Sequence, residues 1–322
     1  MFLGVLSALI ACFLWAITYL LPQLLPMYTS MQSGLIRCCI TALIAIAMLL
    51  PVLHQLKFLK KSDWLVAIKL TVIGNLINFL AMLYCSELAG ASISGLTTGA
   101  IPVLVAVISN ERDKKLGRPS LKLQKLFIPL GLICLGFIIS NLSELGNIPE
   151  GSATGYFMGV ALGILHTILW SWYPMVNAEW LQSHPKFSSL TWTLVQNSIL
   201  LPLAAPLYFL FWSKALPGTP FLGPDPWLLI GILSVNALFC SIGAMSFWNY
   251  ACKKLPTSLS IQLMVFETIF AIVMTHVLMQ KFPAYDMIIG AVFLTIGVSI
   301  SLNFFSKNIK EFEGKLQEEG GL

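Results

Sequence analysis

Residues 255–279 read LPTSLSIQLMVFETIFAIVMTHVLM. From Thr257 onward the run is long and apolar enough to cross a bilayer as a helix, which takes about 20 residues. Glu267 sits near its middle. It is the one carboxylate that falls deep inside an apolar segment of this chain. An acid at that depth costs roughly 2.5–3.5 kcal/mol on insertion scales, so it is expected to face a partner or a watery cavity rather than lipid. Residues 89–109, AGASISGLTTGAIPVLVAVIS, have the same build. Both stretches open on small and hydroxyl residues and then turn apolar, with Glu267 and Thr268 standing where Ile101 and Pro102 stand in the other. Ser92, Ser94, Thr97 and Thr98 answer to Thr257, Ser258, Ser260 and Gln262. The two hydroxyl-rich ends are expected to cross near the centre of the protein and to gate a path.

The composition agrees. Of 322 residues, 57% are hydrophobic and only 10% charged, against about 25% charged in soluble domains. The fold class is therefore an all-α integral membrane protein. Ten spans are expected, at roughly 2–21, 33–53, 64–84, 91–109, 125–142, 155–177, 189–212, 227–250, 257–279 and 285–305. With an even number of spans both termini share a side. Fifteen of the nineteen Lys and Arg residues then fall in alternate loops and at the chain ends, and Lys214 and Lys281 alone fall in the other set. Basic residues accumulate in the cytoplasm, so both termini are expected there. The excess positive charge is accounted for by those loops and calls for no nucleic acid. Loop 143–153 carries Glu144 and Glu150, and loop 213–226 is rich in Pro and Gly, as a turn-laden connector is. The N-terminal run has no basic region and no cleavage site, so it reads as a retained first span. The seven cysteines lie in or beside apolar segments and read as small buried hydrophobes. The tail 306–322 reads as a mixed-charge solvated end.

An internal repeat is legible. An offset of 155 lays Gly4, Val5 and Trp15 on Gly159, Val160 and Trp170, and Trp64 opens the third span as Trp227 opens the eighth. The expected domains are a first five-helix repeat at 1–142, a second at 154–305 and a cytoplasmic tail at 306–322. Five spans per unit make the second copy enter the membrane from the opposite side. Inverted repeats of this kind let carriers alternate between two faces around a midplane site.

Together these features resemble the drug/metabolite transporter superfamily, EamA branch. The residues that carry the resemblance are Trp15, GNLINF at 74–79, the stretch 89–109, HTILWSWYPMVNAEWL at 166–181, VFETIFAIV at 265–273 and GAVFLTIGVSIS at 290–301. The resemblance implies a ten-helix bacterial inner-membrane carrier, and many such carriers export amino acids and related metabolites. In place of the Leu-Gly-Glu common at the end of the family's fourth span, this chain has SNERDKKLGRPS at 109–120, so no acid role is carried over there.

The candidate site residues each admit two readings. Glu267 is a proton-coupling group or a structural acid. Arg37 clamps a substrate carboxylate or snorkels to the interface, and Lys69 snorkels. Asn75 and Asn78 share a helical face, with Tyr84 roughly on the same side. Asn236, Ser241, Trp248 and Asn249 lie on the matching span of the second half. Such polar groups bind a solute or join helices. His166, Trp170 and Tyr173 share another face, with His166 a titratable group or a hydrogen-bonded interior one. Trp15 and Trp170, equivalent in the two halves, wall an aromatic cage or pack. With Tyr19, these residues make the expected solute-binding set: Trp15, Tyr19, Asn75, Asn78, Tyr84, His166, Trp170, Tyr173, Asn236, Trp248 and Asn249. Glycines at 155, 159 and 163, and at 95 and 99, mark close helix contacts within one chain or a dimer.

No HExxH, no phosphate-cradling GxxxxGK[ST] and no Asp in a span interior occur, which argues against an intramembrane enzyme and an ATP-driven pump. No cofactor or metal is expected. The preferred reading is a proton-coupled secondary transporter exporting a small polar metabolite such as an amino acid or amine, as a monomer or homodimer in the lipid bilayer. The alternatives are a sensor or scaffold with a solute-binding cavity, and a nucleotide-sugar or nucleoside exchanger of the same superfamily.

Overall fold

The structure is a computed structural model that describes residues 1–115, 117, 120–140, 142, 153–216 and 218–319. Among those residues it is helical, without strands. The side chains of Ser92, Gly95, Gly99, Pro102 and Ser258, and the loop with Glu144 and Glu150, lie outside the description, so the readings attached to them are not carried further.

In chain order the helices are α1 (Phe2–Ile17), α2 (Ser30–Leu49), α3 (Lys61–Ala89), α4 (Ala91–Lys115), α5 (Leu123–Ser140), α6 (Ala153–Ser183), α7 (Ser189–Ala215), α8 (Pro226–Lys254), α9 in two pieces (Thr257–Leu263 and Val265–Met279) and α10 (Tyr285–Glu319). Among the described residues, nine helices are long and apolar enough to cross a membrane. The expected fourth span lies on the 25-residue α4, which is not one of the nine. Helix ends are set by ordinary means. Thr29 and Ser188 cap α2 and α7 by accepting from the amides of Gln32 and Thr191, and Gly90 at φ 91° turns the chain from α3 into α4. The last helix extends into the tail, for α10 runs on to Glu319.

The packing repeats itself between halves. α1 lies on α8 as α6 lies on α3; α9 lies on α1 as α4 lies on α6. α2 packs on α7, α5 on α10 and α4 on the first piece of α9, so each of these pairs joins matching helices. Individual atoms obey the same exchange. A Cβ on Gly4 would meet Leu255 at 2.8 Å and Lys254 at 3.0 Å, and one on Gly159 would meet Ala89 at 2.8 Å and Leu88 at 2.9 Å. Gly4 and Gly159 are 155 apart; Lys254 and Leu88, and likewise Leu255 and Ala89, are 166 apart.

Irregular backbone recurs at the same register. α3 loosens into a π-helical stretch at Leu70–Ile77, and α8 does so at Asn236–Gly243, again 166 residues on. The two sequences, LTVIGNLI and NALFCSIG, share no residue in alignment. Such widened turns are rare and concentrate at functional sites. At the 155 offset, Pro174 inside α6 answers to Tyr19, in the 3₁₀ turn Thr18–Leu20 that ends α1.

The widened turn of α3 is held against α6 by a missing side chain. A Cβ on Gly74 would stand 2.1 Å from the ring of Tyr173. Gly74→Ala is expected to lower the stability of the purified protein by about 1–3 kcal/mol through overpacking. Gly131→Ala, where nothing lies within 4 Å, is expected to leave the thermal melting curve in place or raise it.

Candidate functional site

Glu267 stands in the first turn of the second piece of α9, just past the interruption at Met264. There the ladder tightens, and the Glu267 amide donates to Met264 O at 2.9 Å, three residues back rather than four. This part of α9 packs on α1. Cys12 Sγ donates to Leu263 O at 3.4 Å, and Phe13 meets Phe270 edge to face at 5.7 Å. The Glu267 carboxyl is thereby turned toward α1, where Tyr19 lies beside it. The 3₁₀ turn that carries Tyr19 is held from the other side, since Asn236 Nδ2, at the start of the α8 π stretch, donates to Thr18 Oγ1 at 3.2 Å. Tyr19 is 51% exposed and Glu267 half-buried.

A second polar group lies where α3, α4 and α6 meet. Thr98 Oγ1 is 3.2 Å from His166 Nε2, and Thr167 Oγ1 donates to Thr97 O at 2.8 Å. Asn78 sits beside His166. Gly163 lets the helices close, because a Cβ there would stand 2.8 Å from Cys85 Sγ and 2.9 Å from Thr97. Among the buried polar atoms without a hydrogen-bond partner are Asn78 Oδ1 on α3, Asn236 Oδ1 on α8, His166 Nδ1 and Ser171 Oγ. Leaving a buried polar group unpaired is costly, and such atoms call for an explanation.

The third polar group is fully paired. Asn177 Oδ1 accepts from Trp192 Nε1 at 2.9 Å and Gln196 Nε2 at 3.2 Å, while Asn177 Nδ2 donates to Asn249 Oδ1 at 2.8 Å. Asn249 Nδ2 donates to Thr193 Oγ1 at 2.9 Å, and the Tyr173 hydroxyl donates to Gln196 Oε1 at 2.9 Å. Thr71 Oγ1 ties α3 to Gln196 O at 3.0 Å. Trp180 stacks on Trp192 with ring centroids 3.4 Å apart and donates to Asp63 Oδ1 at 2.9 Å. Four helices, α3, α6, α7 and α8, are knitted together with every member satisfied, which makes such a network rigid. Beyond it, Arg112 on α4 pairs with Glu179 on α6, and Lys253 donates to Phe187 O.

The sequence profile of the EamA-like transporter family matches residues 2–141 and, a second time, residues 157–303. The chain belongs to the EamA-like transporter family. Inner membrane protein YtfF of Escherichia coli K12 is 31% identical over 310 residues, covering 93% of this chain and 94% of its own. A crystal structure of a protein described without a function superposes with a TM-score of 0.70 at 16% identity, over 94% of this chain and 98% of that one. That likeness concerns the fold alone. The family resemblance drawn from the motifs is thus shown. As an EamA-like protein the chain is a membrane transporter by family. Its several apolar helices and its inner-membrane relative make it a multi-pass protein of that membrane.

Within this EamA-like fold the expected solute-binding residues separate into groups. Tyr19 and Asn236 gather at Glu267. Asn78 and His166 gather at Thr98. Tyr173, Trp248 and Asn249 are buried to 1%, 1% and 0% exposure in the packed core, and Asn249 and the Tyr173 hydroxyl belong to the paired network. Asn75 lies by the Tyr173 hydroxyl. Trp15 rests on Trp248 at 5.5 Å, and Trp170 stacks on Tyr173 at 4.9 Å. Each tryptophan of the expected cage is thus engaged with another ring. Tyr84 is 41% exposed near the end of α3. Arg37 lies over the Phe79 ring at 5.1 Å. A cavity of about 300 Å³ lies elsewhere, lined by Met1, Phe2, Leu3, Gly4, Tyr250 and Lys254, and includes none of the expected residues. Asn177, Gln196 and Asp63 were not among the sequence candidates. The signal for the first two was their polarity inside apolar runs, as for Asn249.

Asn177→Ala leaves Trp192 Nε1, Gln196 Nε2 and Asn249 Oδ1 short of a partner. The expected loss is about 1–3 kcal/mol for each group left unsatisfied. It is measured as a drop in thermal stability together with a shift of the tryptophan emission.

Proposed function

We propose that this EamA-like protein is a secondary carrier that works by alternating access and exports a small amine-bearing metabolite, an amino acid or amine, with proton coupling at Glu267. The observation that carries the reading is the Tyr19–Glu267 pair. An ionisable group within a span, beside a hydroxyl and only half-buried, suits a proton relay or a substrate counter-ion. The acceptors in these two groups favour an amine. Glu267 and Asn236 Oδ1 in one group and Asn78 Oδ1 in the other accept hydrogen bonds, so a solute that bears N–H groups suits them better than a phosphate-bearing nucleotide. Tyr19, Asn78, His166 and Asn236 form the inner solute site on this reading, and Trp15, Asn75, Tyr84, Trp170, Tyr173, Trp248 and Asn249 its supporting wall.

The architecture supports the mechanism in the same way. Two five-helix units, 1–142 and 154–305, followed by the tail 306–322, are proposed to lie inverted in ten spans with both termini in the cytoplasm. The loop charge asymmetry supports that orientation. Two matching packings around one centre give a carrier two faces to open in turn. α4 and the first piece of α9 cross where such a gate would act.

The test is flux in proteoliposomes loaded with labelled amino acids or amines, with and without an imposed pH gradient. The wild type is expected to respond to the gradient, and Glu267→Gln to lose that response at unchanged melting temperature. A Glu267→Gln variant that still follows the gradient would remove the coupling role. Binding without flux in the wild type would favour a sensor.

A further inference from the structure

The cavity at the start of α1 has no part in the transport reading, and its surroundings differ from those of its twin. It is built where α1 crosses the end of α8, and Gly4 brings the two helices together against Lys254 and Leu255. The same crossing in the other half brings Gly159 against Leu88 and Ala89. At the 166 offset Tyr250 answers to Tyr84, but Lys253 and Lys254 answer to Glu87 and Leu88. The joint is shared; the cation belongs to one copy.

Depth fixes what surrounds the cavity. Phe2 and Lys254 are terminal residues of their apolar helices, so the cavity lies at the boundary between hydrocarbon and headgroups. Met1, Phe2 and Leu3 are 48%, 77% and 60% exposed and give it an apolar wall. Tyr250, one turn inward, is placed as interfacial tyrosines are. Lys254 Nζ is held 5.8 Å from the centre of the Tyr250 ring. Its neighbour Lys253 is tethered to Phe187 O. Among the described residues no acidic side chain lines the cavity.

We infer that this cavity seats an anionic phospholipid of the bilayer, its phosphate beside Lys254 and the head of its acyl chains against Phe2 and Leu3. A volume of about 300 Å³ is at the small end of ligand pockets, and basic pockets between spans recognise acidic headgroups. A zwitterionic lipid brings its own cation to the phosphate and gains less from Lys254. The crossing at Gly159 offers no such charge.

Purified full-length protein is incubated with equal amounts of phosphatidylglycerol and phosphatidylcholine of identical chains, and the lipids retained are weighed by native mass spectrometry. The wild type is expected to retain phosphatidylglycerol preferentially. Lys254→Gln is expected to lower that preference about fivefold, the equivalent of the roughly 1 kcal/mol a basic residue contributes at a membrane surface. Leu3→Trp, which fills the cavity and keeps every charge, is expected to lower it too. Lys57→Gln is the control, because Lys57 also sits over a ring, Phe58 at 5.3 Å, but does not line this cavity. The seat is refuted if Lys254→Gln retains the wild-type ratio, or if Lys57→Gln lowers it equally. A Leu3→Trp variant with undiminished preference would show charge alone at work and would refute it as well.

Discussion

Two close crossings, α1 over α8 and α6 over α3, set the geometry of everything else. Inside a membrane, apolar side chains gain little by leaving lipid for protein, so helices are held by close approach and by polar contacts. Gly4, Gly159 and Gly163 allow that approach, each standing where a Cβ would be under 3.0 Å from a neighbouring helix. Once α1 and α8 are paired in this way, α9 is brought onto α1 with its carboxylate facing Tyr19. Once α6 and α3 are paired, α4 is brought onto α6 with Thr98 against His166. The glycines at these joints position the functional groups without touching them.

Polar side chains then fall into two populations. The Asn177 network holds amides, a tyrosine and indoles in a closed set whose hydrogen bonds are all made inside the protein. Nothing there is left for a solute, and opening it would strand several buried groups at once. The groups near the π stretches are different. Asn236 lies at the start of one stretch and Asn78 immediately after the other, and each keeps an unpaired oxygen. A widened turn displaces the helix face, which separates a side chain from the neighbour it would otherwise meet. The irregular backbone thereby accompanies two unpaired acceptors, Asn78 Oδ1 and Asn236 Oδ1.

Much of this was legible in the sequence, and the reason is physical. Apolar run length and loop charge are properties of individual segments, so the expected spans match the helices to within a few residues for most of the chain. Glu267 stood out because its cost in hydrocarbon depends on its own charge. The π stretches were not legible, because LTVIGNLI and NALFCSIG have nothing in common that marks them; their shared register appears only when the backbone is seen. The split among the polar candidates was hidden for a related reason. Asn249 and Asn236 look alike on one helix, yet Asn249 points at Asn177 and Thr193 and Asn236 at Thr18, and which partner each meets is decided by helices far away in sequence. Trp15 and Trp170 stand at one sequence offset, but each rests on a different ring, Trp248 and Tyr173, and a shared offset does not make two residues neighbours.

The duplicated scaffold carries chemistry in one copy only. Where α9 places Glu267, α4 places Ile101, which is 1% exposed in the apolar core. Where α6 places Pro174, α1 places Tyr19. Where α8 ends in two lysines, α3 ends in Glu87 and Leu88. A two-fold arrangement with identical chemistry in both halves would have two equal acids, and the repulsion between them would hinder the ionisation of both. With a single acid the same joints are kept and one carboxylate stands beside one hydroxyl. On the reading proposed above, the repeat would supply two matching packings between which a carrier moves, and the departures from the repeat would supply its single acid.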